Sequence, residues 1–245
     1  MKLVRNEKHI NKNKLIGKIL TFASLGVLGL GLYFAFQKEG GAYIFYSYAC
    51  LIVGFLLTQF GINFVNRYGR SPRYDEIFGT VFEKLRHEYT YYVYSSPLPM
   101  LLMGPCRIWM PIPINATGEL SYVDGKWIHK TRNRIQKMMG QDSIGKPERE
   151  IAEASASLSK HLIEKGIPVE MHPELKPIMV VYLKETQLGE IAIPPYPVVE
   201  LEDLKRYIRR MDREECSDPI NPELAAKLQD ALANGVEMTV SGGAE

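Results

Sequence analysis

The sequence predicts a mixed α/β protein in two parts, a two-helix transmembrane hairpin followed by a cytoplasmic mixed-sheet domain. Three observations carry this. Residues 19–36 and 42–65 form uncharged, strongly apolar runs of 18 and 24 residues, with only Gln59 and Asn63 strongly polar. Basic side chains collect at the outer ends of these runs. Beyond them, helical and strand-like patterns alternate in a chain of average globular polarity, 46% hydrophobic and 24% charged. A disordered or fibrous chain is excluded.

At 1.5 Å per residue the two runs measure about 27 and 36 Å, against a hydrocarbon core of about 30 Å. Five residues join them and include Lys38, Glu39 and two glycines, a tight turn rather than a domain. Six basic residues (Lys2, Arg5, Lys8, Lys12, Lys14, Lys18) stand against Glu7 in residues 1–18, a net of +5, and Arg67, Arg70 and Arg73 follow the second run. The positive-inside rule then places both termini in the cytoplasm. The chain accordingly divides into a basic cytoplasmic N-terminus (1–18), the hairpin (19–65), a linker (66–74) and a cytoplasmic domain (75–240). A cleaved signal peptide does not fit, because a second and longer span follows the first at once. Gly31 and Ala35, with Cys50, Gly54 and Thr58, repeat every four residues as small-residue ridges. These pack the hairpin on itself or join two copies as a homodimer. Neither span carries an Asp, Glu, His or Arg, so transport has no visible chemistry.

In the domain, residues 75–88 show an apolar stripe at 77, 78, 81, 82 and 85 behind an acidic start, a helix. Residues 89–94, 100–103 and 107–114 read as strands, and 119–123 with 126–130 as a hairpin turning on Asp124-Gly125. A helix over 148–165 stops at Gly166 and Pro168. Residues 177–183 (PIMVVYL) form a continuous apolar run, a strand from the interior of a sheet. Residues 198–201 add a short strand, 202–211 a helix, and Asn221-Pro222-Glu223 caps a last helix ending near Asn234-Gly235.

The three cysteines (Cys50, Cys106, Cys216) include no C-x-x-C pair, and an odd count cannot close into a full disulfide framework, which fits a reducing compartment and not zinc. The five histidines are scattered, with His87 and His161 expected on solvent faces, so no metal cluster is proposed. The phosphate-loop, dinucleotide, serine-hydrolase and zinc-protease signatures do not occur. Residues 126–137 are the most basic stretch of a domain whose net charge is negative. There Lys126, Lys130, Arg132, Arg134 and Lys137 surround Trp127, and they can hold phosphate with the indole as a stacking platform. The cations at 205, 206, 209, 210 and 213 read as salt-bridge lacing with Asp203, Asp212 and Glu214.

The stretch MLLMGPCRIWMPIPINATGELSYVDGKW, behind a leading helix and an aromatic strand, resembles the nuclease-related domain (NERD) family, especially its membrane-anchored bacterial members. PIMVVYL, LEDLKRYIRR and INPELAAKLQDAL look like that family's closing elements. The resemblance implies a restriction-endonuclease-like fold and metal-dependent phosphodiester cleavage. That chemistry requires an Asp on one strand and a Glu-x-Lys on the next, to hold Mg²⁺ and position water. The matching positions here are Pro99, Ile112 and Ile114, none of which binds metal or moves a proton. Pro111 and Pro113 also point to an edge or irregular strand.

The expectation is a catalytically silent, inner-membrane family member that serves as a binding or scaffold module for an unidentified protein partner, without cofactor. The alternatives are a tethered nuclease with relocated carboxylates, Glu119, Asp124 and Glu76 being the candidates and Mg²⁺ its metal, or a non-cleaving nucleic-acid binder.

Overall fold

The computed structural model describes residues 1–37, 41–131 and 144–240. The chain forms two compact units, one of Met1–Arg5 with Tyr74–Glu245 and the other of Asn6–Arg73.

The second unit is a pair of helices, α1 (Glu7–Ala35) and α2 (Gly41–Phe64), closed by a π turn over Val65–Gly69. Both are long and apolar enough to cross a membrane. Helix α1 starts well before the apolar run, because Asn6 caps it: its Oδ1 accepts from His9 N at 2.9 Å. The residues α1 buries, Ile10, Gly17, Ser24 and Gly31, recur every seven positions, and α2 answers with Gly54 and Gly61. That period keeps one seam facing the partner helix. Its small residues allow the backbones to approach: a Cβ on Gly31 would stand 2.9 Å from Cys50 Cβ, and one on Gly61 3.1 Å from Thr21 Oγ1. Gly31, Cys50 and Gly54 of the small-residue ridges therefore have occupants within the hairpin. Phe22 and Phe45 on the outer surface are 73% and 74% exposed, a distribution suited to lipid and not to water.

In the first unit a seven-stranded mixed sheet runs β10-β1-β2-β3-β4-β7-β9, and a three-stranded sheet runs β6-β5-β8. The strands are β1 (Lys2–Arg5), β2 (Thr90–Val93), β3 (Met100–Met103), β4 (Arg107–Ile114), β5 (Gly118–Val123), β6 (Lys126–Lys130), β7 (Glu174–Val181), β8 (Thr186–Ile191), β9 (Val198–Glu200) and β10 (Met238–Val240). The helices are α3 (Tyr74–Phe82), α4 (Pro147–Glu164), α5 (Leu201–Glu214) and α6 (Pro222–Ala233). Strands β2, β3 and β4 form an antiparallel meander, and β7 lies parallel to both β4 and β9.

The seven-stranded sheet is covered on both faces. Tyr92, Leu101, Met103, Ile108 and Met110 pack with Leu158 and Leu162 of α4 and Leu228 and Leu232 of α6. The alternate residues Tyr91 and Trp109 meet Phe82 of α3 and Tyr207 of α5. Strand β7 is buried over its second half, the four residues Ile178–Val181, as its apolar run requires.

Several expectations change. Residues 2–5, read as part of a basic tail, form β1 between β10 and β2, with Val4 fully buried. Helix α3 ends at Phe82 rather than 88, and a turn carries Leu85 into the core, its N donating to Phe82 O at 2.8 Å. Strand β4 is an edge over only part of its length. It pairs with β3 at Ile108 and Trp109 and with β7 throughout, so Pro111 and Pro113 fall where the β3 side is already open. Cys106 and Cys216 are disulfide-bonded, with Cα atoms 5.7 Å apart, which leaves Cys50 as the free thiol and stands at odds with the reducing compartment inferred from the count.

Candidate functional site

The residues singled out by sequence fall into three separate places. Glu76 lies in the first turn of α3 beside Asp75, and Arg5 of β1 binds both carboxylates, at 3.1 and 3.0 Å. The side chain of Asp75 is 3% exposed, so this pair fastens the N-terminal strand to α3. Glu119 is the second residue of β5, where Lys130 Nζ donates to both its oxygens at 3.3 Å. Asp124 sits at the far end of β5 with φ 51°, followed by Gly125 at φ 72°, the left-handed pair that a two-residue hairpin turn demands. Five residues of strand separate Glu119 from Asp124 by about 17 Å, too far to share one ion. Among the described residues no group of three or more His, Cys, Asp or Glu side chains could hold a metal.

The basic hairpin is engaged with its own surroundings. Trp127 lies 4.8 Å from the Tyr122 ring and packs on the smaller cluster of Leu120, Ile114 and Val181, while its Nε1 donates to Glu148 Oε1 at 3.3 Å. Lys130 is taken by Glu119, and Lys126 is exposed at the hairpin turn. Arg132, Arg134 and Lys137 lie outside the described residues. Of the family-matched positions, Ile114 is buried in this cluster, Ile112 packs against the main core, and Pro99 accepts from Tyr94 N in the turn before β3. His161, expected on a solvent face, instead donates from Nε2 to Ala231 O at 2.9 Å and joins α4 to α6.

The strongest buried polar constellation is one that sequence reasoning missed. Arg107, the first residue of β4, has a side chain 4% exposed, and so has Asp212 of α5. Asp212 Oδ2 accepts from Tyr89 Oη at 2.6 Å and from Trp109 Nε1 at 3.3 Å, and Oδ1 lies 3.7 Å from Arg107 Nε. Arg107 Nη1 donates to Glu215 Oε2 at 2.7 Å and Nη2 to Glu215 O at 3.1 Å, and Lys176 of β7 reaches the same carboxylate. Burial raises the Asp212 carboxyl above its ordinary range, against the hydrogen bonds from Tyr89 and Trp109 and the nearby charges of Arg107 and Lys176. Lys176 and then Arg107 hold Glu215 below its own. The Cys106–Cys216 bond borders both sides of this network, one residue from Arg107 and one from Glu215.

The network sits at the start of β4, seven residues and about 23 Å from Ile114. It locks α5 onto the sheet through ion pairs, although Arg107 Nε and Asp212 Oδ1, 3.7 Å apart, are buried without a hydrogen-bond partner. The one sequence signal for it was the Asp inside a cationic helix, which spacing alone assigned to surface lacing. No protein-family model, no curated protein and no solved structure matches this chain.

Proposed function

We propose that this chain is a membrane-anchored, catalytically silent member of the nuclease-related type, whose cytoplasmic α/β domain serves as a binding or scaffold module. The observation that carries the anchor is the insertion of two apolar helices between β1 and α3, elements of one folded unit. This supports a hairpin anchor, whose two ends return to the same compartment. The Lys and Arg distribution puts that compartment in the cytoplasm. The disulfide argues for the other side, and protease protection of the domain in inside-out against right-side-out vesicles decides between them.

The leading helix α3, the meander β2-β3-β4, the β5-β6 hairpin, the strand β7 and the closing helices α5 and α6 follow the order of the motifs that carry the resemblance, which supports the nuclease-related reading. Silence is supported by Pro99, Ile112 and Ile114 in the matching positions and by the dispersal of Glu76, Glu119 and Asp124. The full chain in detergent, assayed on DNA and RNA with Mg²⁺ or Mn²⁺, is expected to cleave neither, and Glu119→Ala and Asp124→Ala are expected to change nothing. Divalent-dependent cleavage abolished by either substitution would replace this reading with the nuclease.

A further inference from the structure

The exposed face of α5 carries cations that the surrounding structure does not neutralise. On a helix of 3.6 residues per turn, Lys205, Arg206, Arg209, Arg210 and Arg213 fall within about 140° of arc and about 12 Å of length. Asp212 belongs to the buried network with Tyr89 and Trp109, so it is not available to lace this face. Among the described residues, the one ion pair these five make is Arg206 to Asp203 at 2.6 Å. Arg210 lies over the Tyr207 ring at 5.6 Å, which orients its guanidinium without cancelling its charge. Arg86, from the turn after α3, joins Arg209 and Arg213 around a cavity of about 190 Å³ that Glu88 and Asp212 also line, continued by a groove of about 650 Å³ along α5. Glu202 and Glu214 stand only at the ends of that groove.

We infer that the α5 face, with Arg86, is a docking surface for the anionic phospholipid headgroups of the bilayer that holds the helix pair. Two observations favour a lipid surface. Helix α5 packs beside α3, and only the nine residues 65–73 separate the start of α3 at Tyr74 from the end of the apolar helix α2 at Phe64, so this short tether keeps the face at high effective concentration near the bilayer. The positive charge is local to this face: within the arc of the five cations Glu202 is the one acidic residue of α5, whereas α4 and α6, on the opposite face of the sheet, carry six acidic residues against three Lys and Arg. A flat anionic surface attracts the α5 face and repels the layer of α4 and α6, each Lys or Arg near it contributing about 1 kcal/mol.

The inference rests on the membrane reading, and its test separates the two. The full chain is reconstituted into nanodiscs of phosphatidylcholine alone or with about 30% phosphatidylglycerol, and hydrogen exchange is followed over 201–214. Exchange is expected to slow roughly tenfold in the anionic discs and to return to the neutral-disc rate in about 0.5 M salt. It is expected to return likewise in the triple variant Arg209→Gln, Arg210→Gln, Arg213→Gln, while the matching Arg→Lys triple keeps the protection, since charge and not fork geometry drives docking. Equal exchange in both discs with the chain stably incorporated overturns the docking face and leaves the anchor standing. A chain that enters neither disc removes both. Protection by a single-stranded oligonucleotide in neutral discs, without protection by anionic lipid, assigns the face to nucleic acid and overturns the lipid proposal.

Discussion

Arg107 and Asp212 are placed where an unpaired charge is expensive, and each is tolerated because the other and their neighbours pair with it, even though Arg107 Nε and Asp212 Oδ1 make no hydrogen bond. Asp212→Ala leaves the Arg107 guanidinium facing one carboxylate fewer and strands the Tyr89 hydroxyl, so a loss of about 3–5 kcal/mol in urea unfolding is expected. The two carboxylates of the network also respond oppositely to pH. Asp212 titrates higher in the folded chain than in the unfolded one, so its contribution is full below the unfolded carboxylate value and is lost as pH rises through the folded value. Glu215 titrates lower when folded, so its contribution is present above the unfolded value and is lost as pH falls through the folded one. Above the ordinary Asp range, where the raised carboxyl titrates, the stability of Asp212→Asn should rise with pH more steeply than that of the parent chain. Glu215→Gln should remove a rising limb at lower pH; equal slopes for all three proteins would contradict this account. None of this was legible in the sequence, because Tyr89, Trp109, Arg107 and Asp212 are brought together across more than a hundred residues and share no motif.

At the scale of elements, most of the regular structure could be read from pattern. The stripe of α3, the Asp124-Gly125 hairpin, the apolar β7 and the Asn221 cap are local signals, and Asn221 Oδ1 does accept from Glu223 N at 2.9 Å. What escaped was short or polar: β1 has four residues, β10 three, and β8 (TQLGEI) lacks an apolar alternation, so tertiary pairing alone makes them strands. In the helix pair, the four-residue spacing picked out Gly31, Cys50 and Gly54, which do meet the partner helix, but it missed Gly17 and Gly61. A Cβ on Gly31 would collide with Cys50 Cβ at 2.9 Å with the Ser47 carbonyl 3.4 Å away, whereas one on Gly26 meets nothing within 4 Å. Gly31→Val should therefore destabilise the pair by about 1–3 kcal/mol in denaturant titration in micelles. Gly26→Val serves as its control, and a similar loss there would mean that the seam lies elsewhere.

For the molecule as a whole, the decisive feature is that the domain's sheet is completed by residues on the far side of the helix pair in sequence. Strand β1 pairs over Lys2–Val4 with β10 and over Lys2–Arg5 with β2, and Arg5 clamps Asp75 and Glu76. The sequence hid this arrangement, since the same basic residues that mark an orientation signal also fill the strand, and charge counting assigned them all to a tail. A fragment starting at residue 72 would keep every motif of the domain yet expose a β2 edge carrying Tyr91, Tyr92 and Val93, all buried in the intact chain. Such a fragment is expected to aggregate or to lose cooperative unfolding. Supplying residues 1–5 through a flexible Gly/Ser linker ahead of Tyr74 should restore a monomer with one sharp transition by size-exclusion chromatography and thermal melting. If the fragment is already a cooperative monomer, β1 is dispensable, and the proposal that both ends of the helix pair return to one side of a membrane loses its support from the fold.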